Sequence, residues 1–205
     1  MALGAERKGQ LATGRRPSTS RGELERVALD LFASRGFEET TVDDIAAAAG
    51  IGRRTFFRYY ASKNDAVWGD FDTQLAQLRD WFAGCTPDVP LMEAVHRAVM
   101  EFNRLPKEEE PWHRRRMALI LNTPALQAHS TPMYARWRAV IAEFAAARTG
   151  AAPQDLLPQL IAYAALGAAV ASYDQWLRDP DAELEPLLDV AMTELSRGFG
   201  GHESR

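Results

Sequence analysis

The sequence predicts an all-α fold, because apolar residues recur at helical spacing along most of the 205-residue chain. No run of alternating apolar and polar residues is long enough to indicate a sheet, and the chain has no internal repeat or heptad series. A composition that is 46% hydrophobic and 25% charged supplies enough apolar side chains for a sizeable core. Several prolines stand at or near predicted helix starts, where a missing N–H costs nothing: Pro90, Pro124, Pro132, Pro153 and Pro186.

The first 19 residues are rich in Gly, Arg, Ser and Thr and have no apolar period, so we expect a flexible basic arm. A first helix is predicted from about Ser20 to Arg35, with Gly36 as its stop. Its inward stripe contains Leu24, Val27, Ala28 and Leu31.

Two short helices joined by a tight turn are predicted next. Thr41 suits the N-cap of the first helix, and Gly50 can adopt the positive φ that ends it. The second helix is predicted from Arg53 to Tyr60, with Phe56 on its inward face.

Helices are predicted over the rest of the chain as well. Ser62 caps one that runs to about Gly84, and the others span 90–105, 107–122, 124–130, 132–149, 153–178 and 182–198. The predicted organisation is therefore a basic arm (1–19), a helix-turn-helix head (20–66) and a helical body (67–205).

A helix-turn-helix presents its second helix to the DNA major groove. The charge distribution favours this function, because residues 1–63 hold 11 Lys and Arg against 8 Asp and Glu, whereas the remainder holds 13 against 20. The interpretation has a structural alternative, namely a solvated basic helix on an unrelated bundle, in which Arg58 could pair with an acidic neighbour. The candidate DNA-binding residues are Arg15, Arg16, Thr41, Arg53, Arg54, Thr55, Arg58, Tyr59 and Lys63.

This head resembles the TetR family of bacterial transcriptional regulators over about residues 20–67. The resemblance lies in the helix 43–49, Gly50, Thr55, the aromatic residues around Arg58 and the string Ser62-Lys63-Asn64-Asp65. The family usually has Ser at Gly52 and Tyr at Phe57, so a phosphate contact from that second position is in doubt. The resemblance implies a homodimer whose two heads contact half-sites of a near-palindromic operator.

The last two predicted helices are candidates for the dimer interface. The first is rich in small residues, which allow close helix approach, and the second carries leucines on one face. An internal core hairpin is the alternative, and the resemblance favours the dimer. The candidate interface residues are Leu160, Ala164, Gly167, Ala168, Ala171, Leu184, Leu188, Ala191 and Leu195.

The helix predicted at 107–122 places two polar residues within its apolar stripe. At helical spacing His113 lies about 20° and Arg116 about 40° from Ile120. A buried guanidinium needs a partner, which is either an internal carboxylate (Asp70, Asp72, Glu101 or Asp174) or an anionic effector. The candidate effector-binding residues are Trp68, Phe71, Phe102, Asn103, Trp112, His113, Arg116, Met117 and Ile120.

Several strings in the body are similar to the TetR-type regulators linked to mycofactocin gene clusters. They are Trp68 to Asp72, Glu101 to Asn103, His113 to Met117, Ala128 to Ser130 and Trp137-Arg138. This resemblance implies long-chain acyl-CoA as a plausible effector class, with CoA phosphates near Arg114, Arg115 or Arg116.

Other functions find little support. The single cysteine, Cys85, excludes an intramolecular disulfide and a Cys-rich metal site and suits a reducing cytoplasm. We expect no cofactor, no metal and no membrane contact, since no stretch approaches the roughly 20 apolar residues of a membrane span. A helical enzyme or an acyl-CoA-binding protein without specific DNA binding is the alternative, although the chain has no HExxH, Gly-rich phosphate loop or Gly-x-Ser-x-Gly motif.

Overall fold

The computed structural model describes residues 20–198, and within this range every regular element is a helix, which confirms the all-α prediction. The predicted arm, with Arg15 and Arg16, lies outside the described residues. The helices are α1 (Arg21–Arg35), α2 (Val42–Ala48), α3 (Arg53–Phe56), α4 (Lys63–Trp68), α5 (Phe71–Ala83), α6 (Leu91–Phe102), α7 (Glu110–Asn122), α8 (Pro124–Thr149), α9 (Leu156–Arg178) and α10 (Leu184–Arg197), with a 3₁₀ turn at Lys107–Glu109.

Two capping boxes fix the first two helices of the head. The Ser20 hydroxyl accepts from the Glu23 N–H, and the Glu23 carboxylate accepts from the Ser20 N–H in return. Thr41 and Asp44 make the same reciprocal pair at the start of α2. These local bonds satisfy N–H groups that would otherwise lack partners at the helix ends. The inward residues of the head form one apolar cluster, which includes Leu24, Phe32, Ile45, Phe56 and Tyr60.

The segment predicted as one helix from Ser62 to Gly84 is two helices, so that prediction was wrong. Gly69 interrupts it with φ +64° and ψ −140°, a backbone conformation that is open essentially only to glycine. The Glu25 carboxylate from α1 occupies the space beside this glycine, because a Cβ built on Gly69 would lie 2.6 Å from Glu25 Oε2. The break therefore makes room for a charged group of the head.

A second predicted helix boundary, in the body, is absent from the structure. The helices predicted at 124–130 and 132–149 are one helix, α8, with Pro132 inside it. The carbonyl that Pro132 leaves without its helical partner belongs to Ala128, which is exposed and can be solvated. The other body helices begin and end within about three residues of their predicted limits.

The core of the body is built around α9, which packs against α8 on one side and α10 on the other. Its inward residues include Ala162, Ala165 and Trp176, all fully buried. Contrary to the expectation from sequence, α9 is long and apolar enough to cross a membrane by length and composition alone. Core helices of soluble proteins pass the same test, and one such helix is weak evidence.

Replacing Gly69 with alanine is expected to lower the free energy of unfolding by about 1–3 kcal/mol, because alanine would be strained at this φ and its methyl group would collide with Glu25. Gly84→Ala is the matched control, since Gly84 has φ −81° and its nearest neighbouring atom would lie 3.5 Å from a Cβ. Urea denaturation measures both. Equal stability of the two variants would contradict the role given to Gly69.

Candidate DNA-binding surface and ligand cavity

The second helix of the helix-turn-helix is shorter than predicted. α3 ends at Phe56, and the chain continues to Tyr60 in tight turns, with the Arg58 N–H bonded to the Thr55 carbonyl at 3.2 Å. Phe56 and Tyr60 are buried and anchor this segment in the head. Arg54, Phe57 and Arg58 are exposed on its outer side, where a groove of DNA would approach.

The other predicted DNA-binding residues of this region have internal contacts. The Arg53 guanidinium lies 2.7 Å from Asp43 Oδ2 and 5.3 Å from the centre of the Phe57 ring. Thr41 is engaged in its capping box, while Thr55 and Tyr59 are half-buried. Arg53 and Asp43 are both more than half exposed, so water and phosphate can compete for this ion pair.

Lys63 is placed differently from the prediction. Its ammonium donates to the backbone carbonyls of Phe37, Glu38 and Thr40 at 2.7, 3.3 and 3.1 Å, and it lies 4.3 Å from the centre of the Phe37 ring. All three N–H donors are thus directed at the α1–α2 loop. Lys63 stabilises the shape of the head instead of reaching toward DNA.

The body encloses a cavity of about 830 Å³, counted with the part that opens to solvent. Its walls come from α4 to α9, and aromatic and aliphatic side chains form most of them. Eight of the nine predicted effector-binding residues line it: Trp68, Phe71, Phe102, Asn103, His113, Arg116, Met117 and Ile120.

Trp112 is the exception, because it does not line the cavity and instead has Arg115 over its ring at 5.1 Å. The sequence prediction also missed half of the lining residues, most of which lie on α8 and α9. On α9 these residues follow the spacing i, i+3, i+4 and i+7, which predicts one helix face but not the neighbour that it meets. The missed residues are Gln74, Leu105, Tyr134, Trp137, Leu166, Ala169, Val170 and Tyr173.

A chain of hydrogen bonds orders three polar side chains in the cavity wall. The Asn103 amide nitrogen donates to the Val99 carbonyl at 2.7 Å, which directs Asn103 Oδ1 toward the Tyr173 hydroxyl at 2.6 Å. Tyr173 therefore donates to Asn103, and its oxygen accepts from His113 Nε2 at 2.7 Å. His113 is consequently the Nε2–H tautomer, and burial lowers its pKa to about 4, so the imidazole is neutral at pH 7.

Arg116 has a carboxylate partner that the sequence analysis did not name. Its guanidinium forms an ion pair with Glu25 of α1, and none of Asp70, Asp72, Glu101 or Asp174 fills that place. The side chains are only 20% and 13% exposed. The pair thus joins the head to a residue of the cavity wall.

The neighbouring arginines of α7 are also engaged. The Arg114 guanidinium donates to the backbone carbonyls of Trp176, Asp179 and Ala182 at 2.7, 3.1 and 3.1 Å. Arg115 lies 3.6 Å from Asp30 of α1. The Arg114 guanidinium is thus occupied by the protein's own carbonyls, whereas Arg115 and Asp30 are both more than half exposed and phosphate can compete for their ion pair. A CoA phosphate near Arg115 therefore stays a prediction.

The predicted dimer residues divide into two groups. On α9, Leu160, Gly167 and Ala171 are exposed, and Ala164 and Ala168 are half-buried. On α10, Ala191 and Leu195 are half-buried, but Leu184 and Leu188 are only 8% and 1% exposed and belong to the chain's own core. These two leucines are removed from the candidate interface. The large apolar side chains that are exposed on these two helices are Leu156, Leu157, Leu160 and Tyr163 of α9 and Val190 of α10.

Comparison with known families agrees with both parts of the chain. The model of bacterial regulatory proteins of the tetR family matches residues 26–65, and that of the MftR C-terminal domain matches residues 89–200. The chain belongs to the TetR family of transcriptional regulators. Regulators of this family bind operator DNA as dimers and respond to small molecules.

Two relatives carry the names of transcriptional regulators as well. The chain is 47% identical to the mycofactocin biosynthesis transcriptional regulator MftR of Mycobacterium tuberculosis H37Rv, over 91% of this chain and 94% of that protein. It is 33% identical to the HTH-type transcriptional regulator TcmR of Streptomyces glaucescens, over 82% of this chain and 77% of the relative. The chain is thus a DNA-binding transcription regulator similar to the mycofactocin-system group.

Solved structures of TetR-type regulators share the fold. FadR of Thermus thermophilus, a transcriptional repressor in complex with lauroyl-CoA, has a TM-score of 0.56 at 24% identity and covers 90% of this chain and 97% of its own. FadR of Bacillus halodurans, a regulator of fatty acid degradation, has a TM-score of 0.63 at 17% identity, with 93% and 100% covered.

Replacement of Lys63 by methionine is expected to lower the free energy of unfolding by about 1–2 kcal/mol, because three carbonyls of the α1–α2 loop lose their donor. Arg58→Met is the control and should stay within about 0.5 kcal/mol, since Arg58 is exposed. Chemical denaturation measures both. If Lys63→Met left the stability unchanged and weakened DNA binding, Lys63 would be a DNA-binding residue, as the sequence analysis predicted.

The pKa of His113 predicts how stability depends on pH. The pKa of His113 is about 4 in the folded chain and 6.5 in the unfolded chain, so below pH 6.5 the unfolded chain binds the proton more readily. The free energy of unfolding therefore has its full value above pH 6.5 and decreases as the pH falls toward 4. His113→Gln cannot take up this proton. The wild-type chain should therefore lose about 3 kcal/mol more than the variant between pH 7 and pH 4, measured by urea denaturation. If the free energies of unfolding of the wild type and of His113→Gln changed with pH in the same way, the neutral state assigned to the His113 imidazole would be contradicted.

Proposed function

We propose that the chain is a cytoplasmic, ligand-responsive repressor that binds a near-palindromic operator as a homodimer and leaves it when a hydrophobic small molecule occupies the cavity. Long-chain acyl-CoA is the leading effector candidate. The observation that carries the proposal is the position of Arg116, which lines the cavity and is paired with Glu25 of the DNA-binding head.

The link between cavity and head is broader than one ion pair. α1 packs against α7, and α4 packs against both of them. Three ion pairs cross the same boundary: Arg21 to Asp70 at 3.4 Å, Arg26 to Glu109 at 2.5 Å and Asp30 to Arg115 at 3.6 Å. His129 Nε2 also lies 3.1 Å from Asp65 Oδ1. A displacement of α7 by a ligand is therefore passed to α1.

The mechanism follows from this connection. Two heads bind one operator only while their separation matches that of the half-sites. A ligand that wedges α7 away from α8 and α9 moves the paired Glu25, and with it α1 and α3. Such a ligand must bind the released state more tightly than the operator-bound state, because equal affinity shifts no population.

The proposed dimer uses the exposed apolar side of α9, together with the adjoining part of α10. Leu156, Leu157, Leu160 and Tyr163 are each at least half exposed in the single chain, an arrangement typical of a surface that a partner covers. Small residues at Gly167 and Ala171 would allow a second copy of α9 to approach closely. In such a dimer, α9 and α10 of one protomer would pack against α9 and α10 of its partner and form a four-helix interface.

An acyl-CoA effector is supported by the apolar cavity and by the lauroyl-CoA bound to the fold-related repressor of Thermus thermophilus. The acyl chain would lie among the aromatic residues of the body. The CoA phosphates would remain at the surface, where Arg115 is more than half exposed, since Arg114 and Arg116 are engaged within the protein. The mycofactocin regulator of Mycobacterium tuberculosis further suggests that the regulated genes concern that redox cofactor.

The proposal is tested by binding of the purified protein to its own upstream DNA across a salt series, with and without oleoyl-CoA. Specific binding that weakens with salt and is released by oleoyl-CoA is expected. Arg54→Ala should weaken binding about tenfold, because Arg54 is exposed on the DNA-facing side of α3. Arg97→Ala, which removes a surface pair with Glu93 on α6, is the control. Binding that is indifferent to Arg54 would contradict the assigned surface.

The coupling is tested with the double variant Glu25→Leu/Arg116→Met, which removes the buried pair without leaving one charge alone. It is expected to fold, to bind operator and to show an effector-induced loss of operator affinity at least about tenfold smaller than the wild type. Arg26→Met/Glu109→Leu is the matched control, because that pair also joins the head to the body but is about half exposed and outside the cavity. Identical effector responses of the two double variants would contradict the mechanism.

A further inference from the structure

Three side chains of the helix-turn-helix form a small cluster on its exposed side. Arg53 Nη1 donates to Asp43 Oδ2 of α2 at 2.7 Å, and Arg53 Cζ lies 5.3 Å from the centre of the Phe57 ring. The Phe57 ring stands edge-on to the fully buried Phe56, with 5.5 Å between the ring centres. One carboxylate and one supported ring thus limit where the Arg53 side chain can point.

Phe57 differs from the other apolar residues of the head in its exposure. It is 44% exposed, and the other large apolar side chains that are exposed within residues 20–198 all lie on α9 and α10. Its neighbours Arg54 and Arg58 are exposed as well, so the ring lies in a basic surface. The face of an aromatic ring attracts a guanidinium. The ring can therefore serve as a platform for Arg53.

Asp43 is an acidic residue on the surface assigned to DNA. A carboxylate at this place opposes nonspecific binding, because it repels the phosphate backbone. The side chains of Asp43 and Arg53 are 65% and 57% exposed, so their ion pair contributes little to the stability of the free head. DNA that covers the pair excludes water and strengthens it. The arrangement therefore favours orientation of Arg53 in the complex over stability of the free protein.

Arg53 keeps N–H groups with which it can contact a base. A guanidinium carries five N–H groups in a planar fork, and the hydrogen bond to Asp43 uses one of them. Arg53 is the first residue of α3, and the first residues of a recognition helix contact base edges in the major groove. The base edge that matches an arginine fork is that of guanine, with its O6 and N7 acceptors.

We infer that Arg53 contacts a guanine in each half-site of the operator, and that Asp43 and Phe57 are positioning residues that direct its guanidinium to that base. The inference rests on the proposed operator binding. It adds to that proposal the base that is recognised and the two side chains on which its recognition depends.

The test selects binding sites from random double-stranded DNA with the full chain, so it does not require the natural operator. Wild-type sites are expected to carry an invariant guanine in each half. Sites selected by Arg53→Ala should lose the preference at this position alone, and those selected by Asp43→Ala should lose most of it. Asp43→Asn keeps an acceptor oxygen for Arg53 and should retain an intermediate preference. Glu39→Ala is the matched control, since it removes one negative charge at another exposed position of the head.

Affinities for one selected site distinguish a positioning role from a structural one. Replacing the guanine by 7-deazaguanine, which lacks the N7 acceptor, should weaken wild-type binding at least about fivefold and leave Arg53→Ala unaffected. Asp43→Ala should bind the two DNAs within about twofold of each other, yet bind DNA of unrelated sequence at least as tightly as the wild type, because a negative charge is lost. Phe57→Leu keeps an apolar side chain without a ring and should lose part of the discrimination.

Three results overturn the inference: no selected guanine that depends on Arg53, a wild-type guanine preference in Asp43→Ala, or equal weakening of Asp43→Ala on the selected site and on unrelated DNA. The third result would show a structural defect of the head. Full discrimination by Phe57→Leu would overturn the role of Phe57. Failure of the wild-type chain to select any sequence would contradict the proposed operator binding, and the inference with it.

Discussion

The largely buried ion pair between Glu25 and Arg116 is the constraint on which the rest of the structure depends. Neither group can lose its partner cheaply, because an uncompensated buried charge costs about 3–5 kcal/mol, whereas exposed ion pairs at the same boundary contribute about 1 kcal/mol or less each. The pair holds α1 against α7, and the carboxylate fits only because Gly69 has no side chain. The break between α4 and α5 at Gly69 thus leaves room for the Glu25 carboxylate of the head.

α7 connects this pair to the cavity. His113, Met117 and Ile120 follow helical spacing and line the cavity beside Arg116, while Arg115 reaches α1 from the outer side of the same helix. A single helix of 13 residues thereby forms part of the cavity wall and contacts the DNA-binding head. The Asn103–Tyr173–His113 hydrogen bonds fix the position of His113 on its inner surface.

What could be predicted from the sequence was mainly local. The cap at Thr41 and most helix limits follow from residues three or four apart, and His113 and Arg116 were found because these polar residues interrupt the apolar stripe of one helix. The missing part is non-local. The partner of Arg116 lies 91 positions away, and the carbonyls that bind Lys63 are set by the packing of a loop. The burial of Leu184 and Leu188 depends on which side of α10 meets α9, and spacing alone does not determine this.

In the proposed mechanism the ligand site and the DNA-binding surface are parts of one equilibrium, and linkage then requires each to change the affinity of the other by the same factor. The most direct measurement is the dissociation constant of oleoyl-CoA for the free protein and for the protein saturated with its operator. The account predicts that operator binding weakens oleoyl-CoA binding at least about tenfold. Equal affinities in the two states would contradict it, because the cavity and the head would then be energetically independent.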